Sequence, residues 1–516
     1  MKVIYDNCVA DPWVQVAQKL QHTHGYEPVY WNGYPDDDSR VKVAAAFPKA
    51  VYQSYFDACK GIFPETIKAK SARAFINIDF LKSYAPYELQ AIKMMDRMDP
   101  DRHSFNFMER QRHYRKFLKY WTACIEHFKP DLLVSGNVPH LVFDYSLFLL
   151  CKFNHVKFVT FCASSFLGRT IPLTDVSSIG SLLDEEYAKT LKSGAKIDEL
   201  KRSLPSDILE RYEKIKMDYA QAEPEYMKEQ LLKHRQSSGL FKLARKLLLD
   251  MRLLKDSYFG RDGFFVNGIP TFFKQRHKSI EASNSSVFNY AIMKVRTNAY
   301  KNKLRACYDS LVQEPDLNVP FVLVNLHYQP EMSSNPSGDI FVDQLLFIEV
   351  LAKHLPAGYA IYVKEHPSQF HAHLAGHTSR ILEFYHDLAA YPQVRLLPLL
   401  LNPLTLIRNS RAVATVSGTS GWEAMVLGKP VISFGLSWYE KYAGILKIVD
   451  EKTAAMIPQF IDQFNFDERN LLAYLNAFSC KSVKAYAHRD WKDKMHQDES
   501  ECVANLADCV MQMSVT

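Results

Sequence analysis

The sequence predicts an α/β protein with two Rossmann-like halves around a mostly helical middle, closed by a helical tail. Three observations carry this reading. Short apolar runs alternate with helical stretches in residues 1–175, the same alternation returns from about residue 316, and residues 180–310 hold no strand run of comparable strength apart from a short one near Phe264. With 516 residues, 47% of them apolar and 23% charged, the chain has ordinary globular composition and is long enough for about three structural units. Wholesale disorder and collagen-like repeats are excluded.

The elements follow in order. Val3-Ile4-Tyr5 opens the first half as a strand, and Ala74-Phe75-Ile76-Asn77-Ile78 reads as another. Phe107 to Phe128 carries a helical pattern that stops at Lys129-Pro130, because proline cannot continue a helix. A strand at Leu132–Ser135, the polar loop Gly136–His140, a helix through Leu150 and a strand at Lys157–Phe161 make a βαβ unit, which requires parallel pairing. In the second half, strands are expected at Val319–Asn325, Tyr359–Lys364, Val394–Leu397, Ala412–Thr415 and Pro430–Phe434, with a helix over Phe341–His354. The divisions drawn are 1–175, 176–315, 316–470 and a helical tail over 471–516. Ligands of paired Rossmann-like halves bind at the C-terminal ends of the strands.

No stretch reaches the roughly 18 to 20 consecutive apolar residues of a membrane span. The opening Met-Lys-Val-Ile-Tyr-Asp lacks the basic and apolar regions of a signal peptide. Nine scattered cysteines, an odd number without a C-x-x-C pair, point to reduced thiols in a cytoplasmic protein and to no zinc site. Charge is uneven. Lys228 to Arg305 holds 17 Lys+Arg against 5 Asp+Glu, leaving the rest of the chain at −6 although the whole is +6. Within it, Leu240, Leu243, Leu247, Met251 and Leu254 form one helical face, with Lys242, Arg245, Lys246 and Arg252 largely off it. Such a helix either lies on an anionic membrane surface or packs as an ordinary helix with a solvated basic side. No nucleic-acid-binding module accompanies the charge, so no nucleic acid partner is expected.

Three clusters in the second half carry chemistry. Ser417-Gly418-Thr419-Ser420 follows a strand and opens a helix, where free N–H groups and the positive end of the helix dipole favour phosphate. Glu423, one turn in, suits ribose hydroxyls. The alternative is a capped helix without a ligand, since Ser and Thr are good caps. Lys364-Glu365-His366-Pro367 ends a strand, and Pro367 restricts His366 to an extended backbone. A fixed His beside a Lys suits charge stabilisation on a leaving phosphate, although a lone His is more often structural. His327-Tyr328-Gln329-Pro330-Glu331 ends the half's first strand and runs into the turn Ser333–Asp339. Glu331 and Asp339 are carboxylates near the expected crevice and are candidate bases or nucleophiles, unless they only cap turns. What unites the three clusters is that they leave three strands of one sheet on the same edge.

Tyr-Val-Lys-Glu-His-Pro (362–367), Tyr-Gln-Pro-Glu (328–331) and Val-Ser-Gly-Thr-Ser-Gly-Trp-Glu-Ala-Met-Val-Leu-Gly-Lys-Pro-Val (416–431) resemble bacterial capsule polysaccharide biosynthesis proteins, including the Kdo transferases that use CMP-sugars. The specific match covers about residues 320–440, and the N-terminal half resembles the family only in layout. The resemblance implies the GT-B fold, with two Rossmann-like domains facing a cleft and a helical insertion. It implies a metal-independent glycosyltransferase with no cofactor, whose nucleotide-sugar donor carries a CMP-linked ulosonic acid such as Kdo or a relative. On this reading Gln329, Ser417, Gly418, Thr419, Ser420 and Glu423 bind the nucleotide. His366 and Lys364 offset leaving-group charge, and Glu331 or Asp339 is the catalytic carboxylate. A saccharide or glycolipid acceptor falls to residues 1–175, with Asn137 and His140 as candidates, unless Asn137 is only a turn residue. The expected location is cytoplasmic, peripheral at the inner face of the cell membrane. The rivals are a CDP-glycerol or CDP-ribitol polyol-phosphate transferase and a non-catalytic membrane-docking assembly protein.

Overall fold

A computed structural model describes residues 1–8, 12–34, 37–99, 101–103, 105–166, 168–217, 265–266, 269–270, 287–371, 374–487 and 497–515. Two units emerge. Unit 1 takes Met1–Val176 and the chain from Ser482 onward; unit 2 takes the segment beginning at Ser177 and Thr297–Lys481.

Unit 1 is built on strands β1 (Lys2–Asp6), β2 (Glu27–Gly33), β3 (Val51–Ser54), β4 (Leu132–Ser135), β5 (Lys157–Ala163) and β6 (Arg169–Leu173). A two-residue ladder, β7 (Phe265–Val266) with β8 (Ile269–Pro270), forms a separate sheet. Unit 2 is built on β9 (Phe321–Asn325), β10 (Ala360–Lys364), β11 (Val394–Leu396), β12 (Ala412–Thr415), β13 (Val431–Ser433) and β14 (Ile445–Lys447). The short β15 (Val483–Lys484) returns to unit 1. The sheet orders are β15-β6-β5-β4-β1-β2-β3 and β11-β10-β9-β12-β13-β14. Unit 2 is parallel throughout, and in the seven-stranded sheet of unit 1 only β6 runs against the others, pairing antiparallel with β5 and with β15. Both sheets start at a central strand, run outward one way, and return to the other side of that strand. This is the doubly wound order, with its crevice between β1 and β4 in unit 1 and between β9 and β12 in unit 2. The fold class is α/β with two Rossmann-like units, the components of the GT-B expectation.

The buried strands read as continuous apolar runs because helices cover both faces. Phe321-Val322-Leu323-Val324 of β9 and Ala412-Val413-Ala414 of β12 are fully buried. The Phe107–Phe128 helix forms as expected. Asn106 accepts from the Glu109 N–H, the Glu109 carboxylate accepts from the Asn106 N–H, and the buried stripe includes Tyr114, Phe117, Leu118 and Trp121. The helix expected over Phe341–His354 starts later, at Gln344, where the Asp343 side chain caps it by accepting from Leu345 N–H.

Two expectations change. Ala74–Ile78 is no strand: Asn77 accepts from Asp79 N–H at 2.7 Å and opens a helix over Ile78–Ser83. Phe75 stands 89% exposed and Ile78 64% exposed, so the run buries Ala74 and part of Ile76 but leaves Phe75 and Ile78 in water. The helical middle and tail also do not stand apart. The Glu468–Lys481 helix packs in unit 2 against Asp184–Lys192 and Ile197–Ser203, where Asn476 bonds both Ser203 Oγ and Leu200 O. The Glu499–Val515 helix packs in unit 1 against Trp13–His24, with Tyr26 Oη 2.6 Å from Ser514 Oγ. Helical pattern predicts the helices but not their partners. The basic helical stretch Leu240–Lys255 lies outside the described residues. Among the described residues no helix is long and apolar enough to cross a membrane.

Candidate functional site

In unit 2 the loops leaving β9, β10 and β12 meet at the crevice between β9 and β12. His327, two residues past β9, is buried, and its backbone is clamped by the Gln344 side chain, which accepts from His327 N–H at 2.8 Å and donates to His327 O at 3.1 Å. The His327 Nε2 accepts from Ser417 N–H at 3.3 Å, so that nitrogen carries no proton, and the Thr415 hydroxyl 3.2 Å away donates to it. Thr415 Oγ1 in turn accepts from Gly418 N–H at 3.1 Å. A Cβ at position 418 would meet His327 Cε1 at 3.0 Å and Thr415 Oγ1 at 3.1 Å, so only glycine lets the turn come this close.

The consequence concerns the phosphate turn. The N–H groups of Ser417 and Gly418 are engaged by His327 and Thr415, and Ser417 Oγ donates to Ser333 O at 2.6 Å. Ser417 and Gly418 therefore shape the turn. The helix over Thr419–Val426 makes its first turn bond from Gly421 N–H to Gly418 O, which leaves the N–H groups of exposed Thr419 and of Ser420 at the helix start. Glu423 is half-buried, and burial lifts its carboxyl to about 7 against the opposing pull of Arg211. Near neutral pH it can both donate to and accept from a hydroxyl.

His366 follows β10. Its Nδ1 accepts from Ser368 N–H at 3.1 Å, which places the ring proton on Nε2. Burial, then Lys364, His327 and Arg380, lower its pKa to about 3; burial and Arg380 lower His327 to about 4. Both rings are neutral at pH 7. His366 thus serves as a neutral Nε2–H donor, and positive charge at this strand end belongs to the buried Lys364.

A buried hub, absent from the sequence reading, joins the two loops. Arg380 donates from Nε to Glu365 Oε2 at 2.9 Å, from Nη1 to Gln329 Oε1 at 2.5 Å and from Nη2 to His327 O at 3.3 Å. Glu365 also accepts from Tyr385 Oη and from His366 N–H, each at 2.8 Å. Gln329 donates from Nε2 to Val342 O at 2.6 Å, so both ends of its side chain are engaged inside the scaffold. Its place is therefore that of a loop tie, not of a side chain presented to nucleotide. Glu365 lies within the Lys364–Pro367 motif, where sequence gives it no distinct role, and Arg380 is 15 residues further on, with no local signal. The carboxylate candidates lie on the next turn. Glu331 is exposed and accepts from Ser333 Oγ at 3.2 Å, and Asp339 is exposed with a φ of 50° at the start of a 3₁₀ turn. Among the described residues no group of three or more His, Cys, Asp or Glu could hold a metal ion.

Asn137 and His140 lie in unit 1, after β4 at that unit's own crevice. Asn137 Oδ1 accepts from Val138 N–H at 2.9 Å, and His140 Nδ1 donates to Val138 O at 2.7 Å. Beneath them runs a polar row. The register sets Asp6 beside Ser135, Ser135 beside Thr160, and Asn32 beside Gln53, all buried at the strand ends. Asp144 Oδ1 accepts from His140 N–H at 3.1 Å and Leu141 N–H at 2.7 Å, while its Oδ2 and Asp6 Oδ1 have no hydrogen-bond partner among the described residues. Burial raises Asp144 to about 7 and, with Asp144 nearby, raises Asp6 well above the usual carboxylate range. A carboxyl whose native pKa lies above its unfolded value favours the native state most at low pH, and that contribution is lost as pH rises from about 4 to about 7. Asp144→Asn keeps the Oδ1 cap and removes the ionisation. Its Tm should match wild type near pH 4 and exceed it by at least ~2 °C at pH 8, on a scale of about 2–4 °C per kcal/mol. Equal Tm values across that range in thermal denaturation would show that the carboxyl carries no such burden.

Comparison with known proteins supports the resemblance over the second half of the chain. Residues 212–455 match the family of capsule polysaccharide biosynthesis proteins. The capsule polysaccharide modification protein LipA of Neisseria meningitidis serogroup A is 24% identical over 148 residues, which are 29% of this chain and 20% of LipA. The serogroup B LipA is 35% identical over 79 residues, 15% of this chain and 10% of that protein. The aligned region thus spans a fifth or less of these relatives. Among solved structures, a Thermosulfurimonas dismutans KpsC, beta Kdo 2,4 transferase, aligns over 67% of this chain and 78% of its own at 13% identity with a TM-score of 0.27. The capsule polysaccharide match contains every candidate residue of unit 2.

Proposed function

We propose that this protein is a glycosyltransferase of capsule polysaccharide synthesis, using a nucleotide-activated sugar, with a CMP-linked ulosonic acid such as Kdo as the donor and a saccharide or glycolipid as the acceptor. The observation that carries the reading is the β9–β12 crevice, where the Thr419–Ser420 helix start, the His366 Nε2–H donor and Lys364 belong to loops tied together by His327 and Arg380. Donor phosphate would rest on the Thr419 and Ser420 N–H groups, with Glu423 on ribose hydroxyls. His366 and Lys364 would stabilise the departing nucleotide phosphate, with no resident cofactor. Acceptor binding is assigned to unit 1 near Asn137 and His140.

A thermal-shift series with CMP, CDP, UDP and GDP tests the site, and consumption of CMP-Kdo against CDP-glycerol separates sugar transfer from polyol-phosphate transfer. Stabilisation by none of the four nucleotides would favour the non-catalytic assembly protein. The catalytic carboxylate is open to the same assay. Glu331→Gln or Asp339→Asn should leave CMP binding within about twofold and lower turnover at least tenfold for whichever acts in the transition state. Two fully active variants would move the role elsewhere.

A further inference from the structure

The 70–82 segment of unit 1 has no role in the crevice chemistry. Phe75 and Ile78 stand 89% and 64% exposed, while the alternate residues Ala74 and Phe80 are buried at 8% and 1%. The segment is thus anchored from below and holds its two large exposed apolar side chains in water. Ile78 and Lys82 sit one helical turn apart on the Ile78–Ser83 helix and are both exposed, and Lys70 and exposed Arg73 precede Phe75. Between Lys68 and Lys82 there are four Lys+Arg and one acid, Asp79. The feature extends along the chain. Among the described residues, seven of the twenty exposed large hydrophobics fall between Ile62 and Met108, including Leu89 at 70% and Phe107 at 58%. Electrostatics adds to it from the Phe107–Phe128 helix: exposed Lys116 lies close enough to Lys68 for that like charge to lower its pKa, after burial.

We propose that this face docks on an anionic lipid bilayer, with Phe75 and Ile78 entering the interface and Lys70, Arg73 and Lys82 among the headgroups. Charge complementarity selects the partner. An exposed aromatic and an exposed aliphatic side chain near Lys70, Arg73 and Lys82, with Asp79 the one acid between Lys70 and Lys82 and Lys68 paired to Glu65 at 2.6 Å, match a surface that is apolar beneath and anionic above. An acidic protein groove would satisfy the cations but would not bring acyl chains to Phe75. The proposal is independent of the transferase reading, and it places docking outside the basic stretch 228–305.

Cosedimentation of the full chain with phosphatidylglycerol-containing vesicles tests it. Binding should be strong at low salt, at least ~tenfold weaker on neutral phosphatidylcholine, and should fall as salt screens charges beyond about 8 Å. Phe75→Ser with Ile78→Ser should weaken binding at least ~tenfold, and Arg73→Glu with Lys82→Glu should abolish it. Both pairs are exposed, so thermal midpoints should stay at wild type. Phe75→Trp should be quenched by brominated acyl chains beyond the quenching of the six native tryptophans. The proposal fails if wild type ignores anionic vesicles at low salt. It fails equally if the vesicle-bound Phe75→Trp variant shows only wild-type quenching, which would place the contact elsewhere on the chain or on a protein partner.

Discussion

Arg380→Ala is expected to destabilise unit 2 by about 3–5 kcal/mol, because it leaves an uncompensated carboxylate in the interior. Arg380 is 2% exposed and Glu365 0% exposed, and their side chains meet at 2.9 Å. Without the guanidinium, Glu365 keeps only the Tyr385 hydroxyl and the His366 N–H among the bonds described above. Urea denaturation should show a lower midpoint with an unchanged slope. Adding Glu365→Gln to the alanine variant should recover part of the loss, since the orphaned group is then neutral. Arg380→Lys should fall between, keeping charge while losing the planar fork that reaches Gln329 and His327 together. A wild-type midpoint for Arg380→Ala would mean that water replaces the arginine freely and that the hub does not hold the loops.

Hydrophobic runs made the central strands legible. β4, β5, β9, β10, β12 and β13 are short, apolar and covered on both faces, so each announces itself in the sequence. β2 was missed because Glu27-Pro28 and Asn32-Gly33 frame its apolar centre with turn-forming residues. β6 was missed because Arg169 and Thr170 break its apolar run, although all five residues are buried. Ala74–Ile78 departs from its apolar run because Asn77 caps a helix and no described strand pairs with this segment.

The candidate site was legible where its residues are local in sequence. Lys364 and His366 ride on the end of β10, and Thr419 and Ser420 open the helix after β12, so motif and position coincide. What sets their chemistry is non-local. The amides of Ser417 and Gly418 are engaged by His327 and Thr415, with His327 some 90 residues from the turn, and Gln329 is held by an arginine 51 residues away. No spacing rule reports such pairings. The protonation state of His366 was likewise beyond the sequence, since it depends first on burial and then on Lys364, His327 and Arg380, the last two from other loops.

His366→Ala should lower turnover at least tenfold, and by about 2.7–4 kcal/mol in activation free energy if the ring acts as a charge-stabilising donor. The ring is well placed for this alone. Nδ1 is held by Ser368 N–H, Pro367 fixes the backbone, and the proton sits on Nε2, the nitrogen turned away from that anchor. Because the free ring titrates at about 3, the wild-type rate should show no His366 ionisation between pH 5 and pH 8 in the unliganded enzyme, so kcat/KM stays flat there with respect to this group. A donor seen only by the departing phosphate lowers kcat and kcat/KM together, whereas a residue that merely binds nucleotide raises KM alone. His366→Gln, which retains an N–H donor at comparable reach, should recover part of the loss. His366→Ala also removes the cap on the Pro367–Phe370 turn, so its thermal midpoint must be measured beside its rate. A folded His366→Ala protein turning over at the wild-type rate would remove the ring from the mechanism and leave Lys364 and the Thr419–Ser420 amides to hold the phosphate.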